Sequence, residues 1–345
     1  MRTSLKELAK KSGYSVNTVS RALRDADDVK ASTKSLIKQL AEEMGYIPNV
    51  VAKNLRLGKT NTIGVVSADS SNPYFAEVIL AIEDAARSHD YHMLLVNTEE
   101  SPEGEREAID TLIERQVDGL LIIPVFGEDA NLERLKNLSV PFLLVGRWLP
   151  GLEDHSILTD EYDKAKQVTS LFLANGHTHV LHLAGPSFVS SSFDRIRGYR
   201  DAYIEAGIPV NEDLIVETDG HIEDGHRNIN MLIRKELPFS ALFAFNDLVA
   251  IGAMRALKEA GYLIPQDVEV VGFDDLDLSR YLYNSLSSVR IPKQELGRIA
   301  FESLFEHMTD PKKLYRRQTI ESRLMLRETT TFENIGDSQI QGGIK

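Results

Sequence analysis

Along the first forty-five residues the apolar positions fall three or four apart: Leu5, Leu8 and Ala9, then Val19, Ala22 and Leu23, then Leu36, Ile37, Leu40 and Ala41. That period puts each set on one face of a helix, so three short helices are predicted. Gly13 and Gly45 stop the first and the third, which is expected over 32–44, because glycine enters the left-handed conformation that closes helices. Ser15 stands where a hydroxyl can cap the second. Pro48 breaks the helical pattern, and the polar stretch 58–62 reads as a linker.

From Thr62 the pattern changes. Short β-branched runs, at 63–66, 93–96, 119–123, 142–145, 180–183, 241–245 and 268–272, alternate with amphipathic stretches at 74–88, 105–116, 164–175, 194–206, 224–235, 247–260 and 293–308. Alternating βα units predict parallel sheets, and there are too many units for one modest sheet. The end, residues 328–345, carries Thr329, Gly336, Gly342 and Gly343 and reads as a solvated, flexible tail without leucine heptads.

Composition narrows the class. At 345 residues the chain exceeds one core, and 42% hydrophobic with 26% charged residues is globular. Without cysteine there is no disulfide framework and no thiolate chemistry. No apolar run is long enough to span a bilayer, and the first residues lack the apolar core of a secretory signal, so a soluble, cytoplasmic protein with no membrane partner is expected. The net charge of −13 is uneven: residues 1–60 hold 12 Lys+Arg against 6 Asp+Glu, leaving −19 on the other 285. A basic module on an acidic body confines any binding to nucleic acid phosphates to that module.

Two short helices joined by a glycine-containing turn make a helix-turn-helix, whose second helix reads base edges in the major groove. On it, Asn17 suits adenine, Arg21 suits guanine, and Val16 suits a thymine methyl. Lys6, Thr18 and Ser20 suit phosphates, which position without specifying. Inside the module, Leu5, Leu8-Ala9, Ser12-Gly13, Ser15, Thr18-Val19-Ser20-Arg21 and Leu23, followed by Gly45-Tyr46, Pro48-Asn49, Ala52 and Leu55, resemble the headpiece and hinge of the LacI/GalR family of transcription regulators. The resemblance runs to about Arg327. It implies a small all-α helix-turn-helix headpiece (1–48), a hinge helix and linker (49–61), and an α/β periplasmic-binding-protein-like body (62–327) of two doubly wound parallel-sheet subdomains. It implies double-stranded operator DNA and a small-molecule effector as partners, a homodimer, and no cofactor. Ser15, Asn49, Ala52, Lys53 and Arg56 join the expected DNA contacts, and Leu55 is expected to wedge into the minor groove and kink the operator.

The same resemblance places an effector at the strand ends. Tyr74 and Phe75 offer faces for a sugar ring or a base. Ser191 and Arg195 match the segment that reaches the effector, and Arg195 can fork hydroxyls or a carboxylate, with Asp274 as its natural partner. Asn246 can donate and accept at a hydroxyl pair. The chain departs from the family pattern at Gly146, Gly220 and Ile291. Arg147 adds a cation suited to a phosphorylated or acidic sugar, and Asn246 points away from the purine-responsive branch. A repressor of carbohydrate-use genes is therefore expected; the alternatives are a purine-responsive regulator, or a solute-binding or enzymatic α/β protein without sequence-specific DNA binding.

Other chemistry finds little support. Gly58-Lys59-Thr60 lacks the upstream glycine of a phosphate loop, since Lys53 stands there. His177, His179 and His182 alternate along a strand without a carboxylate set, so a metal site is not expected. No nucleophile elbow or zinc-protease motif accompanies Asp274-Asp275, so an enzyme is not expected.

Overall fold

The structure is a computed structural model that describes residues 3–46, 59–125 and 129–332. Two compact units emerge, Met1–Thr60 and Asn61–Lys345. In the first, helix α1 (Leu5–Ser12) opens on a capping box in which Ser4 and Glu7 satisfy each other's backbone N–H. It closes at Gly13, with φ of 73°. Helix α2 (Val16–Ala22) is capped by Ser15, whose Oγ accepts the Thr18 N–H at 3.1 Å. Helix α3 spans Ala31–Glu43. Leu8, Ala9, Val19, Ala22, Ile37 and Ala41 form their shared core. Leu36, expected on the buried face, is 43% exposed, because it lies one residue off the Ile37–Ala41 stripe.

The second unit holds two six-stranded sheets. In sequence order its elements are β1 (Thr62–Ser67), α4 (Pro73–Ser88), β2 (His92–Asn97), α5 (Pro102–Glu114), β3 (Gly119–Ile122), α6 (Asp129–Lys136), β4 (Phe142–Val145), β5 (Ser156–Thr159), α7 (Glu161–Ala174), β6 (Val180–Ala184), α8 (Ser190–Glu205), β7 (Ile215–Glu217), α9 (Ile222–Arg234), β8 (Ala241–Ala244), α10 (Asp247–Glu259), β9 (Glu269–Asp274), β10 (Ser287–Arg290), α11 (Lys293–Thr309), β11 (Gln318–Ile320) and β12 (Arg323–Met325). The first sheet runs β11-β5-β4-β3-β1-β2 and the second β12-β10-β9-β8-β6-β7; all pairs are parallel except β10 with β12. Each order places β1 or β6 inside its sheet with the next strand at the edge, so each subdomain is doubly wound. The chain passes between the subdomains three times, after β5, β10 and β11.

Strands β3 and β4 are buried along their whole length, as helices on both faces of a parallel sheet require. In the second subdomain, α9 and α10 touch through glycines. A Cβ on Gly225 would lie 2.1 Å from the Val249 carbonyl oxygen, and one on Gly252 would lie 1.8 Å from that of Ile222.

The expected tail needs correcting at its start. Thr329 is fully buried: its Oγ1 donates to the Val270 carbonyl at 2.7 Å and accepts the Ser287 N–H at 2.8 Å. Phe332 packs edge-on against Phe172 with centroids 5.3 Å apart. Residues 328–332 thus dock on β9 and β10, and a polar composition concealed their backbone pairing. Residues 333–345 fall outside the described residues.

Candidate effector cleft and DNA interface

On the helical unit, Ser15, Val16 and Asn17 at the start of α2 are exposed, as is Lys6, while Thr18, Ser20 and Arg21 are half-buried on the same helix. Capping explains why α2 begins there, and capping occupies two of the expected DNA groups. Ser15 Oγ and Thr18 Oγ1 lie 2.8 Å apart. Arg21 is ion-paired with Asp28; both side chains are about half exposed, so that pair is weak and releasable. Asn49, Ala52, Lys53, Leu55 and Arg56 lie outside the described residues.

In the α/β unit a cavity of about 300 Å³ opens at the carboxyl ends of both sheets. All seven residues expected at the effector, Tyr74, Phe75, Arg147, Ser191, Arg195, Asn246 and Asp274, line it. The topology explains the convergence. Each of these residues either ends a strand, as Asp274 does, or lies in the turn or opening helical turns that follow one, and parallel strands end on one edge.

Their partners differ from expectation. Arg195 pairs with Glu161, not with Asp274: its Nε donates to Glu161 Oε2 at 2.6 Å and its Nη1 to the Phe245 carbonyl. The guanidinium lies 3.6 Å from the Phe273 ring centroid. Glu161, at the first crossing between subdomains, is held in turn by Thr159 Oγ1 at 2.6 Å. Sequence reading missed Glu161 because a glutamate opening a helix looks like an ordinary helix-dipole residue. Asn246 is committed on both sides. Its Oδ1 caps α10 by accepting the Val249 N–H at 2.8 Å, and its Nδ2 donates to the Gly220 carbonyl at 2.9 Å. It shapes the wall with its amide already engaged.

Asp274 is the opposite case. It is 5% exposed, yet among the described residues no hydrogen bond or ion pair reaches its carboxylate. Burial pushes its carboxyl well above the usual range, with Arg195 opposing the shift. Its backbone, at φ of 101°, is strained and firmly held. Lys293 Nζ donates to the carbonyls of Asp274 and Asp275 at 2.7 and 3.2 Å. The neighbouring Asp275 turns away to Arg290 and Arg327, each at 2.6 Å. Beneath them Asp247 collects the Leu276 N–H and the Ser279 and Ser288 hydroxyls, while burial still raises its carboxyl to about 6. One aspartate of the sequence pair is aimed into the cavity by a scaffold that consumes the other.

Arg147 is clamped by Glu100, Nη1 to Oε2 at 2.8 Å and Nη2 to Oε1 at 2.7 Å, and also donates to the Pro124 carbonyl at 3.1 Å. Next to it, Trp148 crosses the cleft. Its backbone N–H donates to Ser190 Oγ at 3.0 Å and its indole to Asp194 Oδ2 at 2.8 Å, both on α8 of the other subdomain. Phe193 meets the indole edge-on at 6.2 Å. Burial holds the Tyr74 phenol above its usual range, reinforced by Asp274 and Glu161.

The histidines serve structure separately. Burial lowers His182 to about 4, its Nδ1 sits 2.9 Å from the Phe243 carbonyl, and its ring stacks between Tyr199 and Phe243. His177 Nδ1 meets Ser240 Oγ at 2.9 Å.

A helix-turn-helix unit joined to a two-subdomain α/β body with a ligand-sized interdomain cavity defines the class of effector-responsive DNA-binding regulators. Known proteins agree with that geometry. The model of periplasmic binding proteins and the sugar binding domain of the LacI family matches residues 60–328, and that of bacterial regulatory proteins of the lacI family matches residues 4–49. The chain is 32% identical over 320 residues to the HTH-type transcriptional repressor PurR of Actinobacillus pleuropneumoniae, covering 92% of this chain and 95% of that one. It is 30% identical over 329 residues to the ribose operon repressor of Haemophilus influenzae, covering 94% and 98%. The Lac repressor dimer bound to operator and the anti-inducer ONPF matches at a TM-score of 0.86 and 26% identity, covering 95% of this chain and 99% of that one. The chain belongs to the LacI family of bacterial regulatory proteins, and it is a DNA-binding transcription regulator. Among the described residues no helix is long and apolar enough to cross a membrane.

Proposed function

We propose that the protein is a cytoplasmic repressor of carbohydrate-use genes that binds a near-palindromic operator as a homodimer and answers a sugar or sugar derivative held between its subdomains. The observation that carries the sugar reading is Asp274, a buried carboxylate without a protein donor, facing a cavity it shares with Arg195 and the rings of Tyr74 and Phe75. A carboxylate so placed accepts paired hydroxyls, and the Nη2 of Arg195, without a protein acceptor among the described residues, donates to another. Homodimer formation draws support from apolar groups left at the surface, including Leu278, Tyr281 and Tyr283, which are 54%, 83% and 93% exposed. Asn17, Arg21 and Val16 read the operator half-site, and Leu55 opens its centre. Effector binding shifts operator affinity by its differential affinity for the two arrangements of the subdomains, and by no more.

Selection from random duplexes at stated salt, repeated with sugars and purine bases, tests this. A near-palindrome whose occupancy changes with one sugar is expected. A response to a purine alone establishes the alternative effector, and the absence of any enriched sequence overturns the assignment of a specific operator.

A further inference from the structure

The cleft carries its own counter-ions. Six carboxylates and two guanidiniums line it, and each guanidinium is already engaged by a carboxylate of the same cavity. Arg147 is forked bidentately by Glu100, the geometry in which a phosphate or carboxylate would otherwise bind it. Glu100 is built into that position. It and Glu99 both adopt left-handed backbone, at φ of 56° and 54°, a costly state for residues with side chains. The Glu100 N–H is tied to the Ala68 carbonyl at 3.2 Å and Ser101 N–H to that of Thr98 at 3.1 Å. Glu161 engages Arg195 through a single bond, from Nε at 2.6 Å, and leaves Nη2 to a ligand hydroxyl. Once the two pairs cancel, the carboxylates of Asp69, Glu99 and Asp219 remain, of which Asp219 has Arg227 at 3.8 Å, beside the buried carboxyl of Asp274, which burial pushes towards its neutral form.

We propose that Glu100 is a specificity-determining residue: an internal anion that occupies Arg147 and restricts the effector to polyols without phosphate or carboxylate, uncharged or bearing an amine. An anionic ligand would have to displace Glu100 from a doubly hydrogen-bonded pair and leave that carboxylate among three or four others. An amine would instead gain the uncompensated carboxylates. The inference rests on the reading of this cavity as the effector site and reverses the expectation, drawn from Arg147 alone, of an acidic or phosphorylated sugar.

Trp148 is the single tryptophan of the chain and follows Arg147 directly, so its fluorescence reports on the cavity. The full-length protein is titrated with glucose, glucosamine, glucose 6-phosphate, ribose, ribose 5-phosphate and inorganic phosphate, following Trp148 emission and heat. The phosphorylated members are expected to bind about tenfold or more weakly than their parents. In Glu100→Gln, or in Glu100→Ala should the first variant fold poorly, phosphate and the sugar phosphates are expected to gain about tenfold or more. A wild-type protein that prefers a sugar phosphate to its parent overturns the proposal. If no sugar binds the wild type, phosphate decides: saturable binding gained in the Glu100 variants supports it, and equal binding or none in wild type and variants overturns it. Asp274→Asn separates the two levels, because a sugar that binds this variant unchanged lies outside the cavity and removes the underlying site assignment instead.

Discussion

Replacing Asp194 by alanine removes the acceptor of the Trp148 indole, which bridges the loop after β4 and helix α8 across the cleft at 2.8 Å. A hydrogen bond to a charged group contributes about 1.5–3 kcal/mol. Asp194 also faces the exposed Arg197 at 3.2 Å, which spreads its charge, so the lower end of that range applies. The Ser190 contact to the Trp148 backbone and the edge of Phe193 survive the substitution. A loss of about 1.5 kcal/mol changes the ratio of open to closed subdomains roughly tenfold. An effector that recruits the closed arrangement then binds more weakly by up to the same factor. Acrylamide quenching of Trp148 reads the opening directly, with no second tryptophan to mask it, and is expected to rise in Asp194→Ala. Trp148→Phe breaks the same bond from the other side, so effector affinity in the double variant should equal that of the worse single one. Unchanged quenching and affinity in Asp194→Ala, or single losses that simply add, refute the bridge as a determinant of closure.

Other substitutions address the remaining elements. Asp274→Asn should abolish the effector response while operator binding persists. Because burial raises the Asp274 carboxyl in the folded protein, folding takes up a proton there, and stability from this group falls as pH rises from the unfolded value of 3.8 towards the higher folded one; melting should therefore show the asparagine variant gaining more at pH 7.5 than at pH 4. Arg21→Ala should cost about 1–3 kcal/mol of operator affinity and relax the preference at one base pair, read by competition between duplexes, with effector affinity unchanged. Gly252→Ala drives a Cβ to 1.8 Å from the Ile222 carbonyl, so α9 and α10 must separate; a melting temperature equal to wild type would show that this contact yields freely.

Much of this protein was legible in its order of residues. Apolar period alone located three helices of the headpiece, and alternating apolar runs located the central strands of both sheets, because strands and helices that bury a face must repeat with their own geometry. Strands β5, β7, β10, β11 and β12 escaped that reading. They are three or four residues long, and β10 begins with two serines whose burial depends on Thr329 and Asp247. Seven cavity-lining residues were also readable, since each ends a strand or lies in the turn or helix start that follows one, and parallel strands share an exit edge.

Pairing was decided only by the fold. Arg195 could be assigned a carboxylate from its chemistry, but the choice of Glu161 over Asp274 depends on where the first crossing between subdomains delivers α7. The resemblance of Arg147 to an anion receptor held until Glu100, 47 residues away, was placed on it. Sequence determines which groups can bond and on which face they stand. Tertiary structure determines which of several acceptors lies within 3 Å, and burial makes that choice consequential, because a charge removed from water keeps whatever partner the fold brings to it.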